Sequence, residues 1–301
     1  MKEGGIMLPL RLKKGDTIGL AAPCWRATDS WAAPIIKGLE DMGYRVKLAR
    51  NLFKSGWGYA ASPEERAEDL NELIRDEAVR MIFFGGGEGA DDVTDMLDYA
   101  AAKADAKLWL SYSDGTSILN CMWANTGIPV LYGQTPGLFP AISNYNRNQF
   151  ASFTEGLPSG HVSAGPWRCL TSGAASGTLI GGYLANFVYL TAMGRIPLDE
   201  GRKYVLFIED HEKFSGIESV SAHIGRLEQC GILPHTSGLL FGHYSAPVNE
   251  YLLERLRRLG EKWQIPVAYS DDFGHGGNRA ILPIGVKATL DTERGALKYH
   301  W

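Results

Sequence analysis

No stretch of this 301-residue chain approaches the roughly 18–20 consecutive apolar residues of a membrane-spanning helix, so an integral membrane protein is not expected. There is no run of Lys and Arg, and the formal net charge is −4, so the chain carries no electrostatic footprint for nucleic acid. The cysteines, Cys24, Cys121, Cys169 and Cys230, are scattered and form no CxxC pair. Neither a disulfide framework nor a zinc site is indicated, and a reduced, cytoplasmic protein is the expectation. The HExxH metal motif is absent, because His211-Glu212 has no second histidine at helical spacing. Met1-Lys2-Glu3-Gly4-Gly5 lacks the apolar core of a secretion signal and leads into a strand-like segment. There is no internal repeat and no low-complexity tract. What remains is the composition of an ordinary globular protein, 45% hydrophobic and 21% charged, with enough chain for one large or two medium domains.

Strands and helices alternate. Thr17-Ile18-Gly19-Leu20-Ala21-Ala22-Pro23 reads as a buried strand ended by proline. Residues 31–42 have helical spacing with Gly43 as a stop, and 44–48 form a second strand. Ser62-Pro63-Glu64-Glu65 is a capping box opening a helix through Leu70, Leu73 and Ile74. Residues 79–84 form a third strand, followed by Gly85-Gly86-Gly87-Glu88-Gly89, a helix over 91–99, and the strand Leu108-Trp109-Leu110-Ser111. Such alternation predicts parallel β-α-β units, with function collected at the carboxyl ends of the strands. The fold class is therefore α/β, with a doubly wound parallel sheet in an N-terminal domain over 1–136. Residues 137–175, rich in Ser, Gly, Pro and Asn, read as a linker with an irregular excursion. A smaller mixed α/β domain follows over 176–301. Its strands fall at 204–208, 238–241, 266–269 and 281–290, and its helices at 187–193, 220–230 and 251–264.

Three strand ends carry candidate chemistry. Ser113, in Tyr112-Ser113-Asp114-Gly115-Thr116, stands on a strand-to-helix turn, where a serine serves either as an N-cap or as an exposed nucleophile. Glu209 ends an apolar strand in an acidic, polar knot. His275, between Gly274 and Gly276-Gly277, has little cover from its neighbours and can reach into a cleft, or lie on a surface loop. His161 and His300 read as surface residues, and His235 and His243 lack a clustered carboxylate. Gly85 through Gly87 to Ala90 matches GxGxxA, a dinucleotide fingerprint. Against that reading, it does not follow the first strand, and Glu88, Asp91 and Asp92 lie where a pyrophosphate would sit. The glycines also suit close backbone approach and N–H groups aimed at an oxyanion. Ser113, Glu209 and His275 occur in the order serine, acid, histidine, which fits a triad. The GxSxG elbow is not met, because Ser111 takes the first glycine position.

The chain resembles the LD-carboxypeptidase family of serine peptidases, which includes the microcin C immunity-type hydrolases. The resemblance runs through Gly15-Asp16-Thr17-Ile18 with Ala22-Pro23, Glu64-Glu65-Arg66-Ala67-Glu68-Asp69-Leu70, Gly86-Gly87-x-Gly89 and Tyr112-Ser113-Asp114. It continues through Gly177-x-Leu179-Ile180-Gly181-Gly182, Leu206-Phe207-Ile208-Glu209-Asp210, and Phe273-Gly274-His275-Gly276 with Leu282-Pro283-Ile284-Gly285. It implies Ser113 as nucleophile, His275 as general base and Glu209 as the acid, with the backbone N–H groups of Gly87 and Asp114 as the oxyanion hole. It implies an N-terminal domain like that of class I glutamine amidotransferases, a C-terminal domain supplying acid and histidine, and a cleft between them. It further implies no metal or organic cofactor, a homodimer, and cytoplasmic cleavage of the terminal D-alanine from muropeptides. The alternatives are an immunity-type hydrolase of peptidyl- or aminoacyl-nucleotide antibiotics, a non-catalytic binding protein on the same fold, and a nicotinamide enzyme.

The chain departs from the family where arginines are usual, having Gly85 and Asp92, and where an aromatic is usual, having Glu88. Gly115 stands where isoleucine is common, and Tyr132-Gly133-Gln134-Thr135-Pro136 replaces a His-Gly-Pro segment. Gly86, Glu88, Asp92 and Trp167 are the expected substrate-binding residues. Glu88, Asp91 and Asp92 are expected to favour a cationic or neutral group, and Trp167 either stacks on a nucleobase or packs in the core.

Overall fold

The computed structural model describes residues 11–301, so the reading of the first five residues falls outside the described chain. Two compact units divide it, Met1–Leu157 and Pro158–Trp301.

The first unit runs β1 (Thr17–Ala21), α1 (Asp29–Asp41), β2 (Arg45–Leu48), α2 (Pro63–Arg75), β3 (Val79–Phe84), α3 (Tyr99–Ala104), β4 (Leu108–Ser111), α4 (Thr116–Thr126), β5 (Val130–Tyr132) and α5 (Asn144–Thr154). These strands pair in the order β5-β4-β3-β1-β2, every neighbouring pair parallel. β1, β3, β4 and β5 are almost wholly buried apolar runs, as strands covered on both faces must be. β2 is half exposed and carries Arg45 and Lys47, charges that suit an edge. The order 2-1-3-4-5 is doubly wound, and its winding reverses between β1 and β3. Ligands of such sheets bind outside the carboxyl ends at that switch point. Here those ends carry Ala22-Pro23-Cys24-Trp25-Arg26 and the glycines Gly85 to Gly89. The capping box of α2 forms as expected: Glu65 N–H donates to Ser62 Oγ at 3.3 Å, and Ser62 N–H donates to Glu65 Oε2 at 3.2 Å.

The second unit runs β6 (Arg168–Thr171), β7 (Ala174–Tyr183), α6 (Leu184–Ala192), β8 (Tyr204–Glu209), α7 (Ile217–Gln229), β9 (Thr236–His243), α8 (Glu250–Trp263), β10 (Val267–Gly274), β11 (Leu282–Ile284), β12 (Lys287–Asp291) and β13 (Ala296–His300). Its sheet has the order β13-β12-β7-β8-β9-β10-β6. β7 to β10 are parallel, joined by α6, α7 and α8, while β6, β12 and β13 are antiparallel flanks. β8, β9 and β10 therefore bring their carboxyl ends to one edge of this unit.

Several elements differ from expectation. Within 137–175 the chain forms a 3-10 turn (Pro136–Ala141), α5 and β6. α5 buries Phe150, whose ring lies 4.9 Å from Phe139 and 6.1 Å from Phe83, so this stretch completes the core of the first unit. The helix expected over 91–99 is a 3-10 turn (Ala90–Met96), and α3 starts afresh where Asp98 accepts from Ala101 N–H at 2.9 Å. The strand expected over 266–269 continues to Gly274, and β13 adds a hairpin that periodicity did not reveal.

Candidate active site

Ser113 has φ +57°, a left-handed backbone that costs a non-glycine residue about 1 kcal/mol or more. The extended Tyr112 ends the strand before it, and a 3-10 turn over Ser113–Gly115 leads into α4. Ser113 is not the cap of α4: Gly115 holds that position, with no side-chain cap bond. The turn is held by Ser113 N–H donating to Tyr132 Oη at 3.0 Å and by Thr116 Oγ1 donating to Ser113 O at 2.6 Å. A Cβ at Gly86 would stand 2.6 Å from Ser113 Cβ, so only glycine lets the loop after β3 lie against the serine. A Cβ at Gly115 would collide with Ser111 Oγ. The serine in the first elbow position and the glycine in the last thus belong together.

Asp114 is buried and accepts from Ala90 N–H at 2.9 Å, which ties the serine turn to the glycine loop. Gly87 packs against the segment after β1, where a Cβ would stand 2.8 Å from Cys24 O, and Glu88 N–H donates to Cys24 O at 3.2 Å. Burial, then the charge of Asp114, pushes the Cys24 thiol well above its usual range.

The acids of the rim divide. Glu88 is exposed, and partial burial followed by the Asp114 charge raises its carboxyl. Asp92 accepts from Arg66 Nη2 at 2.9 Å. Arg66 is itself buried and also donates to Gly89 O at 2.8 Å and to Pro23 O. Asp92 is thus neutralised by an arginine from α2. At the switch point a cavity of about 290 Å³ opens between Trp25, Arg26, Trp31, Gly86, Tyr112 and Thr135.

In the second unit Glu209 ends β8 with no exposed surface, and its Oε2 lies 2.8 Å from His275 Nδ1. An ionised carboxylate only accepts, so this contact puts the imidazole proton on Nδ1. Gly274 makes it possible: φ is +98°, and a Cβ there would lie 3.0 Å from Glu209 Oε2. The His275 ring is held edge-on by Tyr183 at 5.4 Å and Phe214 at 5.1 Å.

Two further histidines stand nearby. His211 is buried, its ring 6.3 Å from His275 and 5.5 Å from His243. Its Nδ1 accepts from Lys213 N–H at 3.1 Å, and burial, then the neighbouring His243, pulls its pKa down. His243 Nδ1 lies 2.6 Å from Asp271 Oδ1, which also accepts from Tyr269 Oη at 2.8 Å. The carboxylate that His243 lacks in sequence comes from the adjacent strand. Asp210, between Glu209 and His211, is buried, and burial pushes it up to about 6.

Trp167 is half-buried, and its Nε1 donates to Asp272 Oδ2 at 2.9 Å. The same carboxylate meets His161 Nε2 at 2.8 Å, Ser163 Oγ at 2.8 Å and Ala164 N–H at 2.9 Å. His161, read as a surface residue, has a buried side chain. Among the described residues no group of three or more His, Cys, Asp or Glu is arranged to hold a metal ion. No described helix is long and apolar enough to cross a membrane.

The first α/β unit thus holds a strained serine beside a glycine loop, and the second holds a buried carboxylate–imidazole pair. The N-terminal domain model of the LD-carboxypeptidases (peptidase S66) matches residues 18–133 and the C-terminal domain model matches residues 176–290, and the chain belongs to this family. It is 28% identical to a protein of Bacillus subtilis named "Probable murein peptide carboxypeptidase", over 94% of this chain and 91% of that one. It is 25% identical to the microcin C7 self-immunity protein MccF of Escherichia coli, over 95% and 93% of the two chains. The fold matches the crystal structure of an MccF-like protein from Bacillus anthracis with a TM-score of 0.87 at 22% identity, covering 97% of this chain and 99% of that one.

Proposed function

We propose that the protein is a serine-type LD-carboxypeptidase that removes the terminal D-amino acid from muropeptides. Ser113 Oγ attacks the scissile carbonyl, and His275 Nε2 takes its proton and passes it to the leaving amine. Glu209 holds the imidazole in the required tautomer and stabilises the imidazolium. The N–H groups of Gly87 and Asp114 receive the oxyanion, and water activated by His275 releases the acyl-enzyme. The observation that carries this reading is the buried Glu209–His275 contact at 2.8 Å, which leaves Nε2 as the basic nitrogen. The strained backbone of Ser113 supports it, since a serine with only a packing role has no reason to adopt φ +57°. Gly86 and Glu88 lie on the loop beside Ser113 and are assigned to substrate contact, whereas Asp92 acts through Arg66. Trp167 serves the substrate indirectly, by ordering the segment it shares with Asp272.

The test is release of D-alanine from a muropeptide tetrapeptide, with labelling of Ser113 by a fluorophosphonate probe located by mass spectrometry. Ser113→Ala is expected to abolish both with the fold retained; wild-type turnover in that variant refutes the assignment. The similarity to MccF makes aminoacyl nucleotides the competing substrate class. Cleavage of an aminoacyl sulfamoyl adenylate without D-alanine release would decide for it. The same reading carries a cytoplasmic homodimer, whose stoichiometry sedimentation velocity measures.

A further inference from the structure

The cavity at the switch point of the first sheet is lined by Trp25, Trp31 and Tyr112 together with Gly85 and Gly86. Gly86 lies close against Ser113 and Tyr112 immediately precedes it, so two lining residues of the cavity adjoin the serine. Arg26 is the one charged side chain among its lining residues. It is exposed and makes no ion pair among the described residues, unlike Arg66, which is paired with Asp92 and also donates to Gly89 O and Pro23 O. Three acids of the surrounding loops are engaged or placed elsewhere. Asp92 is held by Arg66, Asp114 is buried on Ala90 N–H, and Glu88 does not line the cavity. An uncommitted guanidinium on a residue lining an aromatic cavity selects an anion joined to an apolar body. Its planar fork of N–H donors matches a carboxylate in particular.

Resting on the assignment of Ser113 as nucleophile, we propose that Arg26 binds the free carboxylate of the substrate's C-terminal residue and determines specificity for it. The body of that residue lies against Trp25 and Trp31. The cavity then receives the leaving amino acid, and the acyl part of the substrate extends away from it. The anchor comes from the turn after β1, not from the glycine loop.

Binding is measured first, without turnover. Ser113→Ala protein is titrated calorimetrically with N-acetyl-L-lysyl-D-alanine and with its C-terminal amide. The acid is expected to bind at least about ten-fold more tightly than the amide, as a charge-assisted pair is lost in the amide. Adding Arg26→Gln should bring the acid-to-amide ratio close to one. Arg26→Lys should restore only part of it, because a point charge replaces the fork. In the serine-intact protein, Arg26→Gln should lower kcat/KM for the acid by the same factor, through KM. No acid preference in Ser113→Ala, or a preference that survives Arg26→Gln, overturns the proposal. An intact preference for the acid, lost with Arg26→Gln, in a protein that neither hydrolyses the peptide nor reacts with fluorophosphonate would instead sink the serine-hydrolase reading and leave Arg26 as a carboxylate site.

Discussion

The Nδ1 of His275 lies 2.8 Å from Oε2 of Glu209, a carboxylate with no exposed surface. Replacing it by an amide of the same shape keeps the packing but offers an N–H₂ group to Nδ1, which favours the other tautomer. Glu209→Gln should therefore lower kcat by on the order of 10³–10⁴, with KM little changed. Steady-state D-alanine release measures this, and a variant with full kcat would remove Glu209 from the mechanism.

Ser113 should trade activity for stability. At φ +57° alanine keeps the strain and glycine relieves it. Both variants should lose turnover, while Ser113→Gly melts about 2–4 °C above Ser113→Ala, from roughly 1 kcal/mol of released strain. Equal melting temperatures would mean that the turn stores nothing.

Asp210 gives a pH signature. Burial raises its carboxyl to about 6, the hydrogen bond from His211 N–H opposes the rise, and the Glu209 charge adds to it. The unfolded chain titrates near 3.9. The folded state therefore holds this proton more tightly. Its contribution, on the order of 3 kcal/mol, is complete below about pH 3.9 and lost as pH rises through 6. In Asp210→Asn the contribution no longer varies with pH. The melting temperature of the variant, relative to the parent, should climb between pH 4 and pH 7; a constant difference contradicts the assignment.

Asp272 is expected to be the costliest of the surrounding acids to neutralise. Burial alone would raise its carboxyl, but the bonds from His161 and Trp167, the His161 charge and the Ser163 bond hold it well below the usual range. Asp272→Asn should destabilise by about 2–4 kcal/mol and expose residues 161–167 to protease, because one carboxylate gathers four of their donors. Trp167→Phe removes one of those bonds, to a charged acceptor, and should cost about 1.5–3 kcal/mol. Limited proteolysis with thermal melts reads both.

Glu88 and Asp92, neighbours on one rim, should behave differently. Asp92→Asn leaves the buried Arg66 short of its counter-charge and should cost about 1–3 kcal/mol without reordering substrates. Glu88→Gln, at an exposed position, should be nearly neutral for stability and weaken substrates that carry an amine on the acyl side. An unchanged substrate ranking in Glu88→Gln would end its assignment to substrate contact.

Local chemistry made much of the first unit readable. The apolar run of β3, the capping box at Ser62 and the glycines before Glu88 each depend on residues a few positions apart, so spacing alone exposes them. The polar half of β10 was not readable, since Ser270-Asp271-Asp272 looks like the end of a strand. Asp272 stays buried because it finds partners 105–111 residues away, while the exposed Asp271 meets His243 across the sheet. His161 misled for the same reason, and α5 was hidden by a composition rich in Asn and Ser around the two buried phenylalanines Phe150 and Phe153. Asp92 read as part of a bare acidic rim because its arginine lies on another helix, 26 residues earlier. At the serine, the stretch alone favours a helix cap over a nucleophile; in the structure Gly115 holds the cap position of α4 and Ser113 has φ +57°.

Gly274 has a consequence of its own. Its alanine variant would add a single methyl carbon 3.0 Å from Glu209 Oε2 on a backbone turned to φ +98°. The damage would fall less on the strand that carries the mutation than on the neighbouring carboxylate, displaced from its imidazole. Saturation mutagenesis at this codon, selected for turnover, should therefore return the parental residue alone, even though the side chain it forbids would never touch a substrate.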